Sequence, residues 1–378
     1  MTHLRKKEKK VIALTGGSTG GHIFPLLSVF NYLKEEKKYD FFWVGEIDSL
    51  EEETARKNKI PFIDIPAGKI RRYYDVRNFY EPLKNLSGIA FGIYYILKNK
   101  IDIIFSKGGY VALPLCIAAF ILRKKIYIHE SDTVSGIANR IIGKIATKVF
   151  YTFPNEKTLM EDGKHILSGQ ILNPELLDNV DNLDVAENEK LSVMIMAGSQ
   201  GSTTIFEAML NVLNHVEGID FQVILGEKNM HFREDFKKTP GIMVHDFITQ
   251  KRLGKILKQV DIAITRGGAT SLWELNMFGI HSIIIPLEGS AGDHQNKNAM
   301  YFNEKFGSDV IYENDDLEVE IYKKLQAYKN LRKSGLNLNG FFKPLQIIEK
   351  EMNEDLEENI ESNNNHVENK SIIDDDEV

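Results

Sequence analysis

Residues 11–25 read VIALTGGSTGGHIFP and residues 191–202 read LSVMIMAGSQGS. Each begins as a short apolar run rich in β-branched residues, breaks at closely spaced glycines, and continues into an amphipathic stretch. That order predicts a buried parallel strand, a tight turn and a helix whose first N–H groups face out of the turn. The same device at the head of each half predicts an α/β fold. Two Rossmann-like doubly wound domains should stand in tandem and face a cleft. In such sheets ligands sit beyond the carboxyl ends of the strands.

Outward from these stretches, strands are expected at Val11–Thr15, Phe41–Gly45, Phe62–Pro66, Ile101–Phe105, Lys125–His129 and Lys148–Phe153. Helices such as His22–Lys37, Tyr80–Lys98, Tyr110–Leu122 and Gly136–Ile145 lie between them. The series restarts with Leu191–Ala197, Phe221–Leu225, Met243–Phe247, Asp261–Thr265, Ser282–Pro286 and Asp309–Tyr312. The domain boundary is expected near Gly163–Gly169, giving domains over 1–165 and 166–340, a helix over 341–356, and a disordered acidic tail over 357–378.

The single cysteine, Cys116, lies in an apolar run and reads as a buried thiol in a reducing compartment. No apolar run reaches the ~18–20 residues that cross a bilayer, and no secretory leader follows the basic start, so a cytoplasmic protein is expected. The net charge of −7 is unevenly spread. Residues 351–378 hold 11 acidic residues and one lysine, whereas residues 1–150 hold 25 Lys/Arg against 15 Asp/Glu. A basic first half suits an anionic surface, phospholipid or nucleic acid, though surplus lysines also serve solubility.

Unusual residues gather at the strand exits. His22 follows the first glycine turn, where an imidazole suits a general base; taken alone, the turn is equally well explained by tight packing. Ser199, Gln200 and Gly201 repeat the turn in the second half and could hold a diphosphate. In DIAITRGGATSLWELNMFGIHSIIIPL (261–287), Arg266 ends a strand and Glu274 lies one turn into the next helix. A carboxylate there could accept from ribose hydroxyls, or only favour the helix dipole. The cluster Asp293, His294, Gln295, Asn296 and Asn298 suits sugar hydroxyls, or a solvated helix start capped by Asp293. Tyr110, His129, Glu130 and Asp132 fall in SKGGYVALP (106–114) and IHESDTVSGIANR (128–140). A metal held by His129 and Glu130 is disfavoured, because adjacent residues on a strand end point apart.

The set GGSTGGHIFP, SKGGYVALP, HESDTVSGIANR, GSQGS, TRGGATSLWEL and DHQNKNA, in this order over roughly residues 10–350, closely resembles the MurG family of peptidoglycan glycosyltransferases. The resemblance implies the GT-B architecture and inverting transfer of N-acetylglucosamine from UDP-N-acetylglucosamine to lipid I, giving lipid II. It implies roles in cell-wall biogenesis, cell shape and cell division. The first domain would hold the acceptor and the membrane, the second the nucleotide sugar. His22 would be the catalytic residue, with Tyr110 and Glu130 on the acceptor side. Contacts to UDP-N-acetylglucosamine would come from Ser18, Thr19, Gly20, Gly21 and Asp132 in the first domain. In the second they would come from Ser199, Gln200 and Gly201 at the diphosphate, Ile248 beside Phe247 at uracil, Arg266, Glu274 at ribose, and His294 and Gln295 at the sugar. Two departures stand out: HESD replaces the frequent HEQN, placing Asp132 where asparagine is common, and Asn173 stands where an arginine is frequent.

The resulting expectation is an enzyme without metal or other cofactor, working as a peripheral protein on the cytoplasmic face of an anionic membrane. Its partners would be UDP-N-acetylglucosamine and lipid I, with no nucleic acid. The membrane-facing segment would be Lys69–Lys100, where Lys and Arg alternate with Tyr and Phe. The alternatives are another GT-B glycolipid transferase, a UDP-N-acetylglucosamine 2-epimerase, or a non-catalytic nucleotide-sugar sensor that would not need His22.

Overall fold

The computed structural model describes residues 9–17, 19–69, 81–160, 162–178, 190–198, 201–246, 248–314, 316–336 and 343–355. The first sheet contains β1 (Lys10–Thr15), β2 (Tyr39–Gly45), β3 (Phe62–Asp64), β4 (Ile103–Ser106), β5 (Lys125–Glu130), β6 (Lys148–Tyr151) and β7 (His165–Leu167). Its order is β3-β2-β1-β4-β5-β6-β7, every neighbouring pair parallel. The second contains β8 (Leu191–Met196), β9 (Ile219–Ile224), β10 (Ile242–His245), β11 (Ile262–Thr265), β12 (His281–Ile284) and β13 (Asp309–Val310). Its order, β10-β9-β8-β11-β12-β13, is again wholly parallel.

Both sheets are wound on two faces, so successive residues of a central strand enter different cores. Ile12 and Leu14 join one cluster, while Ala13 between them joins the other. Val193 and Ile195 face one side of β8, Met194 and Met196 the other. This is why the strands are continuous apolar runs rather than alternating ones. In each sheet the strand order reverses direction beside its first strand, between β1 and β4 and between β8 and β11. That reversal opens the crevice where ligands bind.

Two features depart from the linear reading. The segment read as the domain boundary contains β7, a three-residue strand that pairs with β6 through Val149 and His165. The first sheet therefore runs on to Leu167, past residue 165. The helix at 343–355 returns to the first domain, where Leu345, Ile348 and Met352 are buried against a core that includes Ile12, Tyr39 and Tyr127. Burial of such side chains stabilises by roughly 1.5–3 kcal/mol each. Polar contacts fix the helix's register: Lys148 Nζ meets Glu351 Oε2 (2.6 Å) and Asp355 Oδ1 (3.4 Å), and Tyr127 OH donates to Asp355 (2.7 Å). Residues 356–378, read as the acidic tail, lie outside the described residues.

Candidate active site

The first-domain wall is made by the exits of β1, β4 and β5. After β1 the chain turns through Gly16 and Gly17. Thr19 is the extended N-cap of the helix Gly20–Leu33, so His22 sits in that helix's first turn. After β4, Gly108 and Gly109 both take φ of +81°. A side chain on Gly108 would overlap Asn139, and one on Gly109 would press on the Gly17 backbone. The two glycine turns therefore pack backbone to backbone, which residues with a Cβ could not do.

His22 is half-buried, and its Nδ1 lies 2.9 Å from Thr19 Oγ1. Burial lowers its pKa to about 4, helped by the positive charge of Lys107 and opposed by Asp132. At neutral pH the imidazole is therefore uncharged and able to take a proton.

Beneath this wall lies a polar network that composition did not suggest. Lys107 is 1% exposed. Its Nζ reaches His129 Nδ1 (2.6 Å) and Ser131 Oγ (2.5 Å). His129 Nε2 faces the Gly169 carbonyl (2.9 Å), so this nitrogen carries the proton and Nδ1 accepts from Lys107. Glu130 is also buried. Its Oε1 accepts from the Asp132 N–H (3.1 Å) and its Oε2 from Asn139 Nδ2 (2.9 Å), while Asn139 Oδ1 accepts from the Gly109 N–H (3.1 Å). Burial, with the Asp132 charge, raises the Glu130 pKa. Glu130 thus braces the Asp132 loop from below. Tyr110 donates from its hydroxyl to Glu46 Oε2 (2.7 Å).

The second-domain wall repeats the plan at the exits of β8, β11 and β12. Gly198 and Gly201 take φ of +71° and +72°, and a side chain on Gly201 would collide with Asn229 and the Leu225 carbonyl. Ser202 caps the helix Thr203–Leu213 through its oxygen, and the same oxygen accepts from Arg266 Nη2 (2.5 Å). Arg266 also donates to the Ile285 carbonyl (3.2 Å) and pairs with Glu313 (2.6 Å). The guanidinium is therefore a strut that ties the glycine turn after β8 to the exits of β12 and β13.

Glu274 lies in the helix Ala269–Met277. It is 5% exposed, and its carboxyl makes no hydrogen bond or ion pair among the described residues. Burial raises its pKa to about 8. Gln295 Oε1 accepts from the Leu287 N–H (3.0 Å), and His294 opens the helix His294–Phe306 behind Asp293, which is its N-cap. Ile248 packs beside the second-domain core. Asn173, in the position of the frequent arginine, caps the turn Pro174–Leu177 by accepting from the Glu175 N–H (3.0 Å). Ser18, Ser199, Gln200 and Phe247 lie outside the described residues.

Three contacts join the walls. Asn298, fully buried, accepts at Oδ1 from the N–H (3.1 Å) and hydroxyl (2.9 Å) of Thr133. Its Nδ2 donates to Asp132 Oδ1 and to the Gly267 carbonyl, both at 3.0 Å. Gln170 accepts from the Thr152 hydroxyl (2.7 Å) and donates to Thr270 Oγ1 (3.0 Å). Phe153 plugs into an aromatic socket of Trp273, Tyr301 and Phe302. His22 and Asp132 are thereby brought to the same opening as the Arg266–Gly268 turn. Lys107, Gln170 and Phe153 were not singled out from the sequence. The available signal was that each directly follows or flanks a strand exit.

Comparison with known proteins places this geometry. Residues 12–151 match the glycosyltransferase family 28 N-terminal domain, and residues 192–338 match the glycosyltransferase family 28 C-terminal domain. A Clostridium perfringens protein is 32% identical over 360 residues, covering 91% of this chain and 99% of its own length. It is named UDP-N-acetylglucosamine--N-acetylmuramyl-(pentapeptide) pyrophosphoryl-undecaprenol N-acetylglucosamine transferase. Among solved structures, Acinetobacter baumannii MurG superposes with a TM-score of 0.67 at 22% identity, covering 85% of this chain and 91% of that one. A UDP-GlcNAc 2-epimerase from Neisseria meningitidis, bound to UDP-GlcNAc, superposes at 0.63 with 11% identity, covering 91% of this chain and 100% of that one. The two superpositions describe a shared fold.

Proposed function

Because the chain belongs to the MurG family, within glycosyltransferase family 28, we propose that it transfers N-acetylglucosamine from UDP-N-acetylglucosamine to lipid I, forming lipid II. The observation that carries this reading beyond family membership is the division of chemistry across the opening. A neutral imidazole stands on one wall; a buried carboxyl without a partner among the described residues and a helix headed by a glycine turn stand on the other. The first domain, whose sheet runs through Leu167, would take the lipid acceptor, and the second, which follows it, the nucleotide sugar.

Inversion needs one in-line displacement at the anomeric carbon. The acceptor hydroxyl loses its proton to His22 Nε2, its oxygen bonds to the sugar carbon, and the bond to the UDP oxygen breaks. The departing diphosphate gains charge opposite the N-terminus of the helix Thr203–Leu213, whose free N–H groups favour an anion. Arg266 acts here by holding that turn, and Glu274 by accepting from ribose hydroxyls. Incubation with UDP-N-acetylglucosamine and a lipid I analogue should raise the acceptor's mass by one N-acetylhexosamine. Recovery of a C2-epimerised sugar nucleotide, with no heavier acceptor, would replace this reading with the isomerase one.

Access to a lipid acceptor comes from one helix. Among the described residues no helix is long and apolar enough to cross a membrane. The helix Glu81–Lys98 instead lies along the first domain, with Gly88 and Gly92 buried against the helix Ala112–Ile121. Its opposite face carries Leu83, Leu86, Tyr94 and Leu97, each more than half exposed. These follow a 3.6-residue period and form one stripe. Phe120 and Ile121, at the end of the neighbouring helix Ala112–Ile121, are exposed as well, and Lys84, Lys98 and Lys100 accompany the stripe in sequence. An apolar stripe flanked by cations suits the interface of an anionic bilayer on the cytoplasmic side. Arg71, Arg72 and Arg77, part of the same segment, lie outside the described residues. Leu86→Glu with Tyr94→Glu should lower flotation with anionic vesicles at least about tenfold, since each side chain contributes roughly 1.5–3 kcal/mol on burial. Added salt should weaken the native protein's binding. Unchanged flotation of the double variant would remove this helix from the docking surface.

A further inference from the structure

We propose that Lys107 is a positioning residue: its ammonium, clamped by His129 and Ser131 under the glycine turn, supplies the fixed positive charge against which His22 and the Asp132 loop are set. The kinetic part of this proposal rests on the transferase reading above; the electrostatic part does not.

Three observations support a role for the charge rather than for the side chain's bulk. First, Lys107 is among the largest fully buried side chains of the protein, and no carboxylate forms an ion pair with it among the described residues. Burying an ammonium costs several kcal/mol, and an apolar side chain of equal length would fill the space without that cost. Second, its partner His129 admits only a donor. His129 is fixed with Nδ1 as acceptor by the bond from Nε2 to the Gly169 carbonyl. Third, the location is specific. A Cβ built on Gly16 would lie 3.3 Å from Lys107 Cβ and 3.5 Å from His22 Cβ, so the two side chains begin beside the same glycine. The Lys107 N–H donates to the Thr15 carbonyl (2.9 Å), which fixes it to the strand that carries the turn.

Charge balance explains the arrangement. Lys107, at the exit of β4, and Asp132, after β5, are the charged groups that act on His22, with opposite signs. Lys107 is itself faced by His129, Glu130 and Asp132, and burial outweighs the two carboxyls to bring its pKa down to about 8. It is therefore mostly a cation at neutral pH. A diphosphate entering the opening would add negative charge beside Asp132. Without Lys107, these anions would raise the His22 pKa and bring the protonation that blocks proton uptake closer to neutral pH.

The test uses the full-length protein with Lys107→Met and Lys107→Gln. Glutamine keeps a donor for His129 Nδ1 and Ser131 while losing the charge. Ring-nitrogen NMR of labelled histidine, with His22→Ala to assign the signal, should show the His22 midpoint rising by at least about one pH unit in both variants. The acid limb of kcat/KM should move up with it, while KM for UDP-N-acetylglucosamine changes less, because most of that ligand's contacts are assigned to the other domain. An unmoved His22 midpoint in folded Lys107→Gln would overturn the proposal, as would failure of both variants to fold, which would assign Lys107 to stability alone. Absence of product from the native protein would refute the transferase reading and leave the NMR result to stand by itself.

Discussion

His22→Ala is expected to slow turnover by about 10²–10⁴-fold, the range for loss of a general base, while UDP affinity stays near native. The asymmetry follows from placement. His22 stands in the first turn of the helix Gly20–Leu33, on the wall away from Glu274 and the turn before Thr203. The ring can take a proton at Nε2 only if Nδ1 carries one, and Thr19 Oγ1, 2.9 Å away, is placed to accept from that N–H. Thr19→Val should therefore reproduce part of the loss without removing the ring. The pH dependence has a definite sign. The pKa of His22 is depressed from 6.5 to about 4, so the base form is already complete at pH 6 and the acid limb should lie well below it. The same depression means that its contribution to stability is present above pH 6.5 and lost as pH falls toward 4. The alanine variant should consequently lose less stability on acidification than the native protein. Melting curves at pH 7 and 5, beside steady-state kinetics, separate a base from a packing residue. Near-native turnover would remove His22 from the mechanism.

The parts of this protein legible in its sequence are those governed by local periodicity. β1, β8 and β11 are runs buried on both faces, and the turns after them need glycine for close approach, so strand, turn and helix could be placed from residue type. β7 could not: His165–Leu167 is only three residues long and gains strand character only by pairing with β6. The candidate site was legible as a set of strand exits, but not in the division of labour within it. Arg266 and Asn298 have side chains suited to ligands, yet one is consumed by Ser202, Ile285 and Glu313 and the other by Asp132, Thr133 and Gly267. Glu130 looks like a cleft carboxylate and serves as a brace. Lys107 shows the converse. A lysine reads as surface by type, and only the meeting of β1, β4 and β5 shows that it is enclosed. Pairings across the chain decide these roles, and spacing along the chain carries no record of them.

Glu274→Ala should weaken UDP binding by about 10–100-fold, because hydrogen bonds to a charged group contribute roughly 1.5–3 kcal/mol each. The motive is a buried carboxyl at the opening with no partner of its own among the described residues. Burial alone raises its pKa from 4.5 to about 8, so it is largely protonated in the empty protein at neutral pH. Two ribose hydroxyls donating to the carboxylate would favour the ionised form and lower that pKa. Binding should then release a proton, and UDP affinity should climb as pH rises toward 8 and level off above it. Calorimetry in two buffers of different protonation enthalpy measures the release directly. Glu274→Gln should flatten the pH dependence while keeping part of the affinity. Stability gives an independent check. A carboxyl whose folded pKa is raised contributes fully only below about pH 4.5 and loses that contribution as pH rises toward 8. Most of it is gone by pH 7, so Glu274→Ala should not melt appreciably lower there. Unchanged UDP affinity in a well-folded alanine variant would rule out the ribose assignment and leave Glu274 as a carboxyl that only faces its own helix.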